Sequence, residues 1–244
     1  MIKGSVASIE TMGLSDGPGI RTVVFLNGCK LRCKYCHNPE MQEAGCLNIT
    51  ASELCEKIVR NKPYFKRNNG GVTFSGGEPL LQKDFLIECF KILKKENIHI
   101  ALDTCGVGLH HYEDVLSYID LVLLDIKHIT RDGYFYITGY SMDDSLEFID
   151  EVNRLNKDVW IRQVIVPGIM DNKDYIDKLI DFLLKIKNVL RVDFLPYHKL
   201  GEDKYVKLNR ESPFKDVVAM DKEKCDELYN YFLERYMSKK NNLN

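Results

Sequence analysis

The sequence predicts an α/β fold in which parallel strands alternate with helices, arranged as an open sheet or a barrel. Three observations lead there. Six short runs rich in β-branched and other apolar residues recur along the chain, and segments with apolar residues at helical spacing lie between them. The length, 244 residues, is close to the ~250 of a typical α/β barrel. Strands separated by helices pair in parallel through right-handed crossovers. No internal repeat, low-complexity tract or Pro/Ser/Gly-rich linker breaks the order, so residues 1–244 are expected to form a single domain.

The first strand is expected at residues 22–26, just ahead of a cysteine-rich stretch. Thr50 with Glu53 forms a capping box that starts a helix through Leu54 and Ile58. A second strand falls at 71–75, and Pro79 suits the first turn of the helix that buries Phe85, Leu86, Cys89, Phe90 and Leu93. Strands follow at 98–102, 121–125 and 159–166. Tyr175, Ile176, Leu179, Ile180 and Leu183 mark one face of another helix, and the sixth strand spans 192–195. Residues 201–219 lack periodicity and read as a long loop. A last helix over 221–237 turns Cys225, Leu228, Tyr229 and Phe232 inward, and the polar tail 238–244 is expected to fray.

Composition excludes several classes. Lys and Arg total 34 against 36 Asp and Glu, a net charge of -2, which gives no electrostatic basis for binding nucleic acid. Unbroken apolar runs stop at four residues, as in Leu121 to Leu124, so no membrane span is expected. The first ten residues lack the apolar core of an export signal, which points to the cytoplasm and to reduced thiols. Cys55, Cys89 and Cys225 sit in helical apolar patterns and read as core residues.

The chemistry follows the strands. After the first comes Cys29-Lys30-Leu31-Arg32-Cys33-Lys34-Tyr35-Cys36-His37-Asn38; after the second, Ser75-Gly76-Gly77-Glu78; after the third, Asp103-Thr104-Cys105. The fourth ends in Asp125-Ile126-Lys127, the fifth carries Arg162 and the sixth ends in Pro196-Tyr197-His198. In parallel sheets and barrels the carboxyl ends of the strands share one ligand-binding face. The spacing C-x3-C-x2-C suits an iron-sulfur cluster, and a four-iron cluster held by three thiolates leaves one iron open to a ligand. A zinc site completed by His37 or Cys46, or a redox-sensing thiol module, is the alternative, although the second C-x2-C pair of structural zinc is absent.

C-x3-C-x2-C with Tyr35 before its last Cys resembles the signature of the radical S-adenosylmethionine (radical SAM) enzymes. Asp16-Gly17-Pro18-Gly19-Ile20-Arg21, Cys36-His37-Asn38, Ser75-Gly76-Gly77-Glu78, Trp160-Ile161-Arg162 and Leu195-Pro196-Tyr197-His198 narrow the resemblance to the pyruvate formate-lyase activating enzymes, from residue 2 to at least 201. It implies a partial (β/α)6 TIM-type barrel with parallel strands, open on one side. It also implies a 4Fe-4S cluster on Cys29, Cys33 and Cys36, with SAM cleaved at the open iron to a 5'-deoxyadenosyl radical. That radical takes hydrogen from a backbone glycine of pyruvate formate-lyase, the protein substrate.

The resemblance further places Tyr35, His37, Gly76, Gly77, Glu78, Asp125, Lys127, Arg162 and His198 around SAM. Glycine at 76 and 77 would let the backbone approach that ligand closely. A monovalent cation would sit among Asp103, Thr104, Asp125 and the carbonyl of Leu123, a set of hard oxygen donors. Asp16 and Arg162 would engage the incoming protein segment. Flavodoxin or ferredoxin is implied as electron donor, with a monomeric enzyme. Activases of other glycyl radical enzymes usually carry a cysteine-rich insert, whereas residues 38–74 hold only Cys46 and Cys55. Two positions depart from the family's pattern: Pro79-Leu80 where the best-known member has a small residue, and Cys105 where Asn is common.

Overall fold

The computed structural model describes residues 2–67, 69–108 and 110–242, so the end of the expected frayed tail, 243–244, lies outside them. The order is β1 (Lys3–Gly4), β2 (Val6–Gly13), β3 (Arg21–Leu26), β4 (Ile49–Thr50), α1 (Ala51–Val59), α2 (Lys62–Arg67), β5 (Gly71–Gly76), α3 (Lys83–Lys95), β6 (His99–Thr104) and α4 (Glu113–Leu116). It continues with β7 (Leu121–Ile126), α5 (Arg131–Thr138), α6 (Asp143–Arg154), β8 (Val159–Ile165), α7 (Lys173–Leu183), β9 (Val189–Pro196), α8 (Glu202–Lys207) and α9 (Lys222–Asn241).

β3, β5, β6, β7, β8 and β9 pair in parallel in that order, which is the six-strand α/β arrangement expected. The main sheet has a seventh strand. β2 lies antiparallel against β3, with register breaks between Val6 and Ser8 and between Glu10 and Gly13. Among the described residues no pairing joins β2 to β9, so the sheet is an arc, a partial barrel open on one side. β1 and β4 form a separate antiparallel pair.

Side-chain alternation along the strands builds two layers. The outward residues of β3 to β8 pack against the helices: Val72, Phe74, Ile100, Leu102, Val122 and Leu124 meet Phe85, Leu86, Phe90, Val152 and Leu179 in one core. Full burial of each such side chain contributes about 1.5–3 kcal/mol. On the concave face Ala101, Leu121 and Leu123 form a small second cluster covered by Trp160.

Thr50 caps α1 through reciprocal bonds with Glu53, as predicted, and Pro79 opens a single 3-10 turn, Pro79–Gln82, that leads into α3. Two expectations are corrected. Residues 201–219 contain α8, whose six residues are too few to display a period, and α9 stays helical through Asn241, past the expected fray at 238. No helix among the described residues is long and apolar enough to cross a membrane.

Candidate active site

The strand ends converge on a cavity of about 460 Å³ at the carboxyl face of the arc. One end is sulfur. Cys29, Cys33 and Cys36 all line it, on a loop fastened at both sides. Gly28 and Cys29 donate backbone bonds to Met41 and Gln42 (2.8 and 3.1 Å), while Arg32 and Lys34 donate to Thr138 and Ile137 at the end of α5 (2.8 and 2.9 Å). Burial, reinforced by Glu78, pushes the Cys29 thiol up to about 11; burial pushes Cys33 up to about 12 and raises Cys36 as well. These thiols therefore carry protons at neutral pH until a metal displaces them.

Among the described residues no three His, Cys, Asp or Glu side chains converge on a point that would hold a single metal ion. A tetrahedral zinc site requires such convergence. A four-iron cubane does not, because each thiolate binds a different iron around a body several ångströms wide. The donor set, three thiols spread along one cavity wall with no fourth beside them in that loop, fits the cluster.

Glycines close the next wall, and packing within the protein already requires them. A Cβ on Gly76, at φ +116°, would lie 2.3 Å from the backbone of Leu26, and one on Gly77 would lie 2.2 Å from the carbonyl oxygen of Gly28. Close packing of the end of β5 against β3 and the cysteine loop demands both glycines, whatever they offer a ligand. Glu78 sits behind this wall, fully buried, and its side chain does not line the cavity. Its Oε1 accepts from the Thr104 hydroxyl (2.6 Å) and the Leu80 amide (3.1 Å), and its Oε2 from the Cys105 amide (3.0 Å) and thiol (2.9 Å). Glu78 thus ties β5 to β6, and Cys105, buried at 5 % exposure, takes part in that tie.

The concave face supplies a charged layer above Leu123. Asp125 and Arg162 are direct neighbours across β7 and β8, and Arg162 Nε donates to Asp125 Oδ1 at 2.9 Å. The same guanidinium pairs with Asp103 and lies 3.9 Å from Asp16. Lys127 Nζ takes the other Asp125 oxygen at 2.9 Å, and the Ser75 hydroxyl donates to Asp103 at 2.6 Å. Burial alone would raise Asp125, but Arg162 and Lys127 outweigh it and hold its pKa down at about 2. Burial wins at Asp103 and Asp16, whose carboxyls are raised despite Arg162. Of the oxygens expected around a cation, both carboxylates are engaged by Arg162 and Thr104 by Glu78. The Leu123 side chain lies in the apolar layer beneath.

Opposite the glycines, His37 and His198 stack with ring centroids 3.9 Å apart and planes at 18°, and His37 Nε2 is 3.2 Å from the His198 carbonyl. Burial and the neighbouring His198 lower the His37 pKa, so the ring is neutral at pH 7 and offers a flat surface suited to a purine. Tyr35 lies nearby, with its hydroxyl 3.5 Å from the Lys127 carbonyl. Sequence reasoning missed Gln42 and Val164 in the lining. Val164 follows Arg162 by two residues on the same strand face, a readable signal; Gln42 had none.

Residues 23–183 match the Radical SAM superfamily. The chain is 52 % identical over 235 residues to the pyruvate formate-lyase-activating enzyme of Clostridium pasteurianum, covering 96 % of this chain and 99 % of that protein. It is 40 % identical over 240 residues to the enzyme of the same name from Staphylococcus epidermidis (strain ATCC 12228 / FDA PCI 1200), covering 95 % and 96 %. A solved domain of pyruvate-formate lyase-activating enzyme from Bacteroides vulgatus ATCC 8482 superposes with a TM-score of 0.56 at 24 % identity, over 68 % of this chain and 94 % of that one. Streptococcus suis SuiB bound to precursor peptide SuiA does so with a TM-score of 0.68 at 16 % identity, over 89 % of this chain and 46 % of that one. These two share the fold. By sequence, the chain belongs to the radical SAM superfamily and, within it, to the family of pyruvate formate-lyase-activating enzymes.

Proposed function

We propose that this chain activates pyruvate formate-lyase by installing a radical on a backbone glycine of that protein. The observation that carries the reading is the shared cavity: three thiols, a histidine shelf and a charged layer border the same 460 Å³, as a cluster and its sulfonium ligand require. Membership of the superfamily implies SAM and a 4Fe-4S cluster. When bound, they supply a 5'-deoxyadenosyl radical that abstracts the glycine hydrogen.

Cys29, Cys33 and Cys36 hold the cluster as thiolates. His37 and His198 would offer a stacking surface to the adenine, with Tyr35 beside them, and the backbone of Gly76 and Gly77 would border the methionyl group, with Glu78 bracing them from behind. Lys127 and Arg162 would meet the SAM carboxylate, and Asp125 its cationic end. Hydrogen-atom transfer needs no acid-base residue, so these side chains orient the cofactor and exclude water and competing reactions. Asp16 and Arg162, at the rim, meet the incoming protein segment. A monovalent cation at Asp103, Thr104, Asp125 and the Leu123 carbonyl would take carboxylate oxygens that Arg162 now holds, which couples its binding to Arg162.

The enzyme works as a single-domain cytoplasmic monomer that receives its electron from flavodoxin or ferredoxin. Bonds from Lys204 to Asn38 and Glu40, between distant parts of the chain, support the single domain. Anaerobic incubation of the iron-loaded chain with pyruvate formate-lyase, SAM and a reductant should produce the glycyl doublet in electron paramagnetic resonance. An iron-loaded chain that makes deoxyadenosine but no doublet would shift the target to another substrate, and a chain that holds no iron would defeat the proposal.

A further inference from the structure

Arg21, the first residue of β3, is wholly buried, and its guanidinium is satisfied without a carboxylate. Nε donates to the Thr73 hydroxyl at 3.0 Å, Nη1 to the Pro18 carbonyl at 3.4 Å with His99 Nδ1 at 3.2 Å, and Nη2 to the Val72 carbonyl. A buried cation is costly even when every donor is used. This one holds the loop between β2 and β3 to the sheet.

Thr73, in β5, is wholly buried beside it. A guanidinium has no acceptor, so the Thr73 oxygen accepts from Arg21 and its own proton goes to the Asp16 carbonyl, 2.5 Å away. Accepting from a cation strengthens the bond that the hydroxyl donates. Farther along the loop the Ile20 carbonyl accepts from the Gly71 amide at 3.1 Å, and a Cβ on Gly70 would lie 2.0 Å from that oxygen. Gly17, at φ +126°, brings the chain so close that its Cβ would lie 3.2 Å from Arg21 Nε. The backbone of this loop is thus fastened at Asp16, Pro18 and Ile20. The Asp16 carboxyl is left open: it lines the cavity 3.9 Å from Arg162 Nη1 and accepts no hydrogen bond among the described residues. A carboxylate free in this way suits a backbone N–H, the donor that an extended glycine segment presents.

We infer that Thr73, backed by Arg21, is a positioning residue for the protein substrate: its hydroxyl pins the Asp16 carbonyl and so aims the Asp16 carboxylate at the backbone of the incoming glycine segment. The inference rests on the proposed engagement of that segment by Asp16. Thr73 itself does not border the cavity, so it acts through Asp16. Without the hydroxyl, Arg21 loses an acceptor, the Asp16 carbonyl loses its donor, and the carboxylate is no longer held beside Arg162.

The test compares the anaerobically reconstituted full chain with Thr73→Val, which keeps the shape and removes the hydroxyl, and with Thr73→Ser, which keeps the hydroxyl. Thr73→Ala takes the place of Thr73→Val should that variant not fold. Hydrogen exchange at residues 14–20 should quicken in Thr73→Val and stay native in Thr73→Ser. The KM for pyruvate formate-lyase, from the initial rate of the glycyl doublet, should rise about five- to tenfold in Thr73→Val, with kcat within about twofold of native. In an Asp16→Asn background the same substitution should change KM by less than about twofold. A merely structural role would lower iron content or kcat and would act equally in both backgrounds. Unmoved exchange, faster exchange with an unmoved KM, or a KM rise that Thr73→Ser shares overturns the inference while the proposed function stands, whereas a native chain that yields no doublet defeats both.

Discussion

Arg162→Met tests the charged layer. The native guanidinium holds Asp103 and Asp125 together from a side chain only 17 % exposed. Asp125 lies about two pKa units below its ordinary 3.8, at about 2, which is about 2–3 kcal/mol of stabilisation at neutral pH. Arg162 and Lys127 share that sum. Removing Arg162 takes most of it and also leaves Asp103 with only the Ser75 hydroxyl, so the loss should reach the ~3–5 kcal/mol typical of a buried ion pair deprived of one member. With a urea m-value of about 3 kcal/mol/M, the midpoint of the iron-free chain should fall by about 1–1.7 M at pH 7.

The pH dependence carries the sign. A carboxyl whose folded pKa is depressed contributes stability above its unfolded pKa and loses it as pH falls through the folded value. In the variant both carboxyls move upward, so they take up protons in the folded state first, and the deficit relative to the native chain should shrink as pH falls from 7 toward 4. Adding Asp103→Asn should cost less in the variant than in the native chain. Urea unfolding followed by circular dichroism, under reducing conditions, measures all three quantities. A midpoint within about 0.3 M of native at pH 7, or a deficit that does not change with pH, would refute the account of this layer.

Further outcomes concern the sulfur end of the cavity. Cys33→Ala should abolish iron and sulfide uptake, whereas Cys55→Ala, in the core between α1 and α3, should cost about 1–2 kcal/mol in unfolding and leave iron content unchanged. Gly77→Ala must displace the Gly28 carbonyl and with it the cysteine loop, so iron per chain should drop by more than half with the far-ultraviolet spectrum preserved. Thiols held at about 11 and 12 must release protons to bind metal, so iron uptake by the apo chain should strengthen steadily from pH 7 to 9, as read by absorbance at fixed free iron.

The parallel strands were legible because strands covered on both faces are written as continuous apolar runs. β2 was not: only Val6 in it is buried, and two register breaks erase the alternation that would mark an edge strand. The thiols, the glycines and His198 could be read from spacing and position at strand ends. Their physical reasons could not. That Gly77 is required by a carbonyl 2.2 Å away, and that Glu78 is a cross-strand tie, depend on how β5 meets β3 and β6. The bridging role of Arg162 follows from register, which sets it opposite Asp125, and no one-dimensional pattern states a register.

Beside the cavity, the segment that follows β9 is joined to the loop that follows β3 largely through side chains. Lys204 reaches Asn38 and Glu40 at 2.7 and 2.6 Å, Arg210 reaches Gln42 at 2.8 Å, and His198 lies on His37. The partly exposed Lys204–Glu40 pair is worth about 1 kcal/mol or less, and the half-buried bonds to Asn38 and Gln42 about 1–3 kcal/mol each. The seam contains no rung of the sheet, so parting it would leave the strands that carry the charged layer paired as they are.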